Sequence, residues 1–422
     1  MIILILFALF FFLLVLSVPI GVTLGITSMA YGFLFNGIRP DYFIQSAITS
    51  LDNFPILAVP LFMLAGELMT KGGIARQLFD IAHKLVGRIT GGHAIATVLT
   101  CMFFGAISGS GPATVAAIGG LMIPMMVNIG YEKKFTTALV AAAGGLGVMI
   151  PPSIPMVMYG VVTQNSISDL FLAGIFPGFV FGGCLMIYSF FYCKITKQQL
   201  HWDQEEKTLW RAIWDGKWSI LMPVIILGGI YGGYFTPTEA ACISVIYALI
   251  ISIFVTKQIP LKEVPDLFIQ SAAMIGPLMI IVSMATLFGR ILTLEKAPMI
   301  ISGVITALSD NVVVIMIIIN LFLLFVGAVM DTVAAILIVA PVLLPIVQNF
   351  GVDPIHFGVI MVVNLAIGFI TPPIGINLYV ASGISGLSIT EITSRIGYPL
   401  LVMLAALLIV TFIPAVSLVL LT

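Results

Sequence analysis

Apolar residues fall along this chain in runs of about twenty, the length of α-helix that crosses a hydrocarbon core of about 30 Å, and not in the two-residue alternation of a half-buried strand. Runs at 2–17, 19–36, 55–70, 135–161, 170–193, 218–235, 238–256, 273–294, 354–380 and 397–420 are predicted as spans. The first two are separated only by Ser17, Val18 and Pro19. Serine is a good N-cap and proline suits an opening turn, which favours two helices over one long tilted helix. Two further apolar regions, 93–127 and 311–347, are interrupted midway, by SGSGPAT at 108–114 and by Met330, Asp331 and Thr332. Each half has about 15 residues, short for a crossing, so both regions are predicted as re-entrant hairpins. The expected fold class is an all-α integral membrane protein with about ten transmembrane helices and two such hairpins.

Composition agrees. Of 422 residues, 60% are hydrophobic and 8% are charged, against about 25% charged in ordinary soluble domains. Too few polar side chains remain to cover a soluble surface, so membrane lipid must cover the rest. A net charge near −1 provides no basic field and excludes nucleic acid as a partner. The four cysteines and four histidines show no metal-ligand spacing and read as packing or surface residues. The opening MIILILFALFFFLLVL lacks the basic flank and cleavage site of a signal peptide. It is expected to be a retained span with Met1 on the non-cytoplasmic side.

That orientation can be tested against basic residues. With both hairpins returning to the side they leave, only Arg39 and Lys296 fall outside and Arg290 lies within a span; the other 14 of the 17 Lys and Arg face the cytoplasm. Treating either hairpin as a single crossing would invert everything after it and destroy this asymmetry. Residues 201–217 form the core of a polar, tryptophan-containing cytoplasmic connector between the two halves.

The halves resemble each other. GAISGSGPATVAAI at 105–118 and GAVMDTVAAI at 327–336 share their opening and closing residues. GVMIPP at 147–152 matches GFITPP at 368–373, and GELMT at 66–70 matches GRILT at 289–293. Offsets near 218–223 throughout point to an internal duplication, 1–200 and 218–422. An odd number of spans per half places the second copy upside down, the plan of a secondary transporter with one hairpin opening from each face.

The chemistry follows from the breaks. Pro151–Pro152 and Pro372–Pro373 cannot continue a helix, and carbonyls freed inside a bilayer must line a cavity or coordinate something. Neutral carbonyl and hydroxyl oxygens suit Na+, and each half can offer one such cluster from a hairpin tip and a broken helix. The first is Ser108, Ser110 and the carbonyls of Gly145, Gly147 and Ile150; the second is Gly327, Asp331, Thr332, Gly368 and Thr371. Asp331 is the sharpest ionisable residue, because a carboxylate at the bilayer centre costs about 2.5–3.5 kcal/mol on insertion scales. Its removal is expected to impair ion binding while easing folding. Thr114, Ser153 and Asn377 are candidate substrate contacts between the tips. Glu239 completes a capping box from Thr236, and Glu67 and Arg290 occupy nearly equivalent repeat positions, open to a salt-bridge or interdomain role or to simple interfacial exposure. No Walker loop or catalytic triad is present. A lipid-modifying intramembrane enzyme is the reading from another class, and it would need an aspartate cluster or a catalytic histidine at a membrane face.

Together GAISGSGPATVAAIGG, GVMIPPSIPMVMYG, FTPTEA and IGFITPPIGINLYVASG resemble the large membrane subunit of tripartite ATP-independent periplasmic (TRAP) transporters, over essentially the whole chain. The resemblance implies an ion-transporter-superfamily fold, an elevator-like mobile domain on a scaffold, and Na+-driven uptake across a bacterial inner membrane. It also implies a small four-helix membrane subunit, here a separate polypeptide, and an extracytoplasmic solute-binding protein that delivers a small organic anion. A binding-protein-independent anion/Na+ symporter of the same superfamily is the nearest alternative. Some sialic-acid members carry an acidic residue where this chain has Thr114, which leaves a mono- or dicarboxylate, a keto acid or a sugar acid open.

Overall fold

A computed structural model describes residues 2–35, 37–196 and 208–421. Every regular element among them is helical. The first half begins with α1 (Ile2–Val15) and α2 (Ile20–Phe35), split at Ser17, so the two-helix reading of this region holds. Next come α3 (Pro40–Leu51) and α4 (Ala58–Lys71), joined through a 3₁₀ turn at Phe54–Leu57, and the amphipathic α5 (Ile74–Val86). The first hairpin is α6 (Gly92–Ser108) with α7 (Gly111–Asn128). A broken helix follows: α8 (Lys133–Gly144), the short α9 (Leu146–Met149), an unwound Ile150–Ser153 and α10 (Ile154–Thr163). The half closes with α11 (Ile167–Thr196).

The second half repeats this order. Short α12 (Leu209–Asp215) meets α13 (Lys217–Tyr231) at a 65° bend, so the described end of the connector is helical, and its residues 201–207 lie outside the described residues. After α14 (Pro237–Ile250) comes the long α15 (Val264–Leu294), which spans in one piece what α3 and α4 span in two. Then follow α16 (Ala297–Leu308), the second hairpin α17 (Val312–Val329) with α18 (Thr332–Asn349), and the broken pair α19 (Pro354–Gly368) and α20 (Ile376–Ser385). Helices α21 (Ile389–Phe412) and α22 (Ala415–Leu418) end the described chain.

Packing reveals the pseudo-two-fold. Helix α4 packs on α14 while α15 packs on α2, so each half lends its arm to the other. The same exchange recurs between α10 and α18 and between α7 and α20, and again between α11 and α19 and between α8 and α21. Such reciprocal contacts are what an inverted duplication produces when both copies bury their faces against each other. Two layers result. Helices α1–α4 and α12–α15 form one, and the hairpins, broken helices, α11 and α21 form the other. Helix α5 leans on α6 and α16 on α18, connecting the layers.

The sequence reading omitted α3, α5 and α16. They are too short or too amphipathic to register as spans, and α5 alternates Ile74, Leu78, Ile81 with Arg76, Gln77, Asp80 and Lys84. The hairpin limbs, at 17, 18, 18 and 18 residues, correct the expected length of about 15. Capping lets Gly111–Ala113 and Thr332 join the helices instead of the turn. What makes them hairpins is a two-residue turn at each tip, closed by Gly109 at φ +60 in the first and by extended Met330 and Asp331 in the second.

Candidate functional site

Each hairpin tip reaches a broken helix through a glycine pair. A Cβ on Gly105 would stand 2.9 Å from the Gly147 Cα and 3.0 Å from the Leu146 carbonyl oxygen; one on Gly368 would overlap the backbone of Gly327. Gly105 and Gly327 are repeat equivalents, as are Gly147 and Gly368. Backbones can approach this closely only where neither residue has a side chain. The unwound segments are tied down in the same way: the Ile154 amide donates to the Gly109 carbonyl at 3.3 Å and the Ile374 amide to the Ala328 carbonyl at 3.2 Å. Both Pro-Pro bonds are cis.

Around the first tip the oxygens converge. Ser110 caps α7, accepting from the Ala113 amide, and its carbonyl accepts from the Thr114 hydroxyl at 2.8 Å. The Ser108 and Thr114 hydroxyls are 3.0 Å apart. A Cβ on Gly147 would run into the Thr114 hydroxyl and the Ser110 carbonyl. Ser108, Ser110 and Gly147 therefore come together, and Thr114 joins them instead of facing the space between the hairpins. Gly145 does not: it lies near the Ala366 carbonyl of α19, and its own carbonyl accepts from the Val148 amide. The Ile150 side chain turns toward Gly178 of α11.

At the second tip, Gly327 and Gly368 are in contact, and Asp331 is the N-cap of α18, with Oδ2 accepting from the Val333 amide at 2.9 Å. Thr332 is buried at the start of that helix. The Thr371 hydroxyl donates to the Ile367 carbonyl within its own segment at 3.0 Å. Ser153 caps α10 and donates to the Val148 carbonyl at 2.5 Å. Asn377 is fully buried beside Gly111 and Gly144; its amide donates to the Ala141 carbonyl at 3.0 Å while Oδ1 has no partner among the described residues. That orphaned oxygen, supplied by the second half, points into the neighbourhood of the first tip.

A cavity of about 520 Å³ opens on one side of the first tip. Ser108, Ser110 and Pro112 form one wall, and Gly66, Glu67 and Lys71 of α4 with Ser271 of α15 form the other. Helix α4 touches the tip itself, since a Cβ on Gly66 would lie 3.0 Å from the Ser108 Cα. Glu67 accepts a hydrogen bond from Ser271 and lies 3.5 Å from the Lys71 ammonium, which donates to Gln270 at 2.7 Å. Glu239 closes the expected capping box with Thr236.

Sequence reasoning passed over Asn320 and Asn364. The Asn364 amide donates to Asn320 Oδ1 at 2.7 Å, and Asn320 donates to the Thr411 hydroxyl at 3.2 Å, joining α17, α19 and α21 in the interior. The available signal was an asparagine in the middle of each apolar run, an expensive placement without a partner. His83 and His93, read as packing or surface residues, meet in the interior with Nε2 atoms 3.1 Å apart. No cluster of three or more metal-ligating side chains occurs among the described residues.

A sequence profile described as "Tripartite ATP-independent periplasmic transporter, DctM component" matches residues 7–416. The chain is 48% identical over 98% of its length to the isethionate TRAP transporter permease protein DctMQ of Oleidesulfovibrio alaskensis, of which it spans 65%. It is 43% identical over 87% of its length to the C4-dicarboxylate TRAP transporter large permease protein DctM of Pseudomonas aeruginosa, covering 86% of that protein. In three dimensions it is similar to the YdaH transporter of Alcanivorax borkumensis, with a TM-score of 0.63 at 15% identity over 89% of each chain. At that identity the likeness concerns the fold.

Proposed function

Because the chain belongs to the DctM component family of tripartite ATP-independent periplasmic transporters, we propose that it carries a small organic anion into the cell in symport with Na+. The observation behind this reading is the duplicated contact between a hairpin tip and a broken helix, Gly105 with Gly147 and Gly327 with Gly368. A duplicated tip surrounded by carbonyl and hydroxyl oxygens, with the Asp331 carboxylate added at the second, suits two monovalent cations, whose charge offsets the cost of moving a carboxylate or sulfonate through a low-dielectric path. Ser108, Ser110, Thr114 and Gly147 would hold the first ion, with the unpartnered Asn377 Oδ1 close by. Gly327, Asp331, Thr332, Gly368 and Thr371 would hold the second.

The anion would occupy the cavity beside the first tip, where the N-terminus of α7 favours negative charge. Relatives named for isethionate and C4-dicarboxylates direct the choice of probes. Alternating access would come from the hairpin layer moving against the scaffold, the cavity being the inward-facing mouth. A small membrane subunit and an extracytoplasmic binding protein would complete the complex in the inner membrane.

Proteoliposomes of the complex with its binding protein test the reading. Isethionate or succinate should accumulate under an inward Na+ gradient and not under K+. Equal uptake in both salts removes Na+ coupling; uptake without the binding protein removes the tripartite arrangement and leaves a self-sufficient symporter.

A further inference from the structure

The scaffold places opposite charges at its two-fold equivalent positions. Glu67 follows Gly66 on α4, and Arg290 follows Gly289 at the same repeat position on α15. Each bonds a serine of the opposite arm. Ser271 of α15 donates to Glu67, and Arg290 Nη1 donates to Ser46 Oγ of α3 at 3.0 Å. Both serines are buried, so each charged group is held at one end by a fixed partner. Their surroundings differ. Gly66 is pressed against Ser108 at the first tip and Glu67 lines the cavity beside it, whereas the space beyond Gly289 is open to 4 Å and Arg290 is exposed.

A duplicated scaffold needs the serine cross-link at both positions, but it does not need opposite charges. If the link were the whole purpose, a neutral residue would serve at either position, without the cost of an ionised group inside a span. Glu67 lines the cavity read as the inner mouth; by the repeat equivalence Arg290 takes the matching place at the outer one, so an anion passing between them would meet a cation at one and a carboxylate at the other. The field is attractive where the anion must be captured and, with Glu67 paired to Lys71, not where it must leave. Lys71 lines the same cavity with its ammonium 3.5 Å from Glu67, so the carboxylate cancels the attraction that this cation would otherwise exert on an anion there.

We propose that Arg290 and Glu67 set different apparent anion affinities on the two sides: Arg290 raises apparent affinity at the outer mouth, and Glu67 lowers it at the inner mouth. This rests on reading the chain as an anion carrier with its first hairpin opening to the cytoplasm. Glutamine at either position keeps a hydrogen-bonding group for the serine and removes the charge, so Arg290→Gln and Glu67→Gln separate the field from the cross-link.

The test uses proteoliposomes of the whole complex, in which external binding protein selects the outward orientation, with isethionate and succinate as probes. Arg290→Gln should raise the external half-saturation about three- to tenfold, the effect of one charge in a partly solvated site, with little change in maximal rate. It should also flatten the rise of that value with ionic strength at fixed Na+, a dependence that a purely structural role would not create. Glu67→Gln should leave the external value alone and lower by a similar factor the luminal probe concentration that half-inhibits net uptake. Arg290→Lys and Glu67→Asp should behave as wild type. If each variant shifts both sides equally, or neither side, the inference is wrong while the carrier reading stands. If the wild-type complex accumulates neither probe under a Na+ gradient, the carrier reading fails and takes the inference with it.

Discussion

Asp331 shows how one side chain can serve two purposes that a single substitution confounds. As the N-cap of α18 it accepts from the Val333 amide, a contact whose loss costs about 1 kcal/mol. That cap works against the gain in folding expected from removing a costly intramembrane charge. Asparagine preserves the capping oxygen and removes the charge. Asp331→Asn should therefore melt at or above wild type in detergent yet lose most Na+ activation of transport, whereas Asp331→Ala should lose that activation as well and melt below the asparagine variant by the worth of the cap, about 1 kcal/mol. Full Na+ activation in the asparagine variant would make Asp331 a cap only. The glycines at the tips act through absence: Gly147 is legible as a motif residue, but that its missing Cβ makes room for the Thr114 hydroxyl is not.

Among the elements, the loop between α7 and α8 is held by a small charged cluster. Glu132 accepts from Arg395 Nε at 2.9 Å and from the Tyr192 hydroxyl at 2.7 Å, fixing the base of the first hairpin to α21 and α11. Partial burial works to raise the Glu132 carboxyl, but the hydrogen bonds from Tyr192 and Arg395 and the nearby positive charges outweigh it and hold it below the usual carboxylate range. A carboxyl depressed on folding contributes stability above its unfolded value, about 4.3, and loses that contribution as pH falls through the folded value. Since Arg395 and Glu132 are 43% and 33% exposed, solvent screening holds the contribution below about 1 kcal/mol. Melting temperature against pH should fall less steeply below pH 4 in Glu132→Gln than in wild type, with the two curves differing most near neutrality. Parallel curves would show that the cluster adds nothing. Neither Glu132 nor Arg395 is conspicuous in the sequence, because 263 residues separate them and no local pattern pairs them.

For the whole molecule, the layers touch where Gly66 of α4 meets the first tip. A Cβ on Gly66 would lie 3.3 Å from that of Ser108, roughly at the lower edge of the 3.5–4.5 Å range that disulfides span. Gly66→Cys with Ser108→Cys should therefore cross-link under copper-phenanthroline. If transport moves the hairpin layer against the scaffold, oxidation should stop the uptake that the reduced double variant retains after losing the Ser108 hydroxyl, and reductant should restore it to that level, while each single-cysteine variant ignores the oxidant. Uptake unchanged by the cross-link would show that this arm and tip never part.

The sequence by itself determined the helical class, the span positions, the hairpins, the duplication and the glycine, serine and proline motifs at the breaks. These are consequences of composition and of local sterics, which each segment carries alone. It did not determine α3, α5 or α16, whose amphipathic faces have meaning only against neighbouring helices. Tertiary structure alone decided that Thr114 faces Ser108 and not the cavity, that Gly145 belongs to a helix crossing, and that Asn377 crosses from the second half toward the first tip. It also decided that Glu67 lines a cavity while its equivalent Arg290 stands exposed. Each of these depends on which surfaces the two halves bury against each other, and that choice is made by packing between residues far apart in the chain.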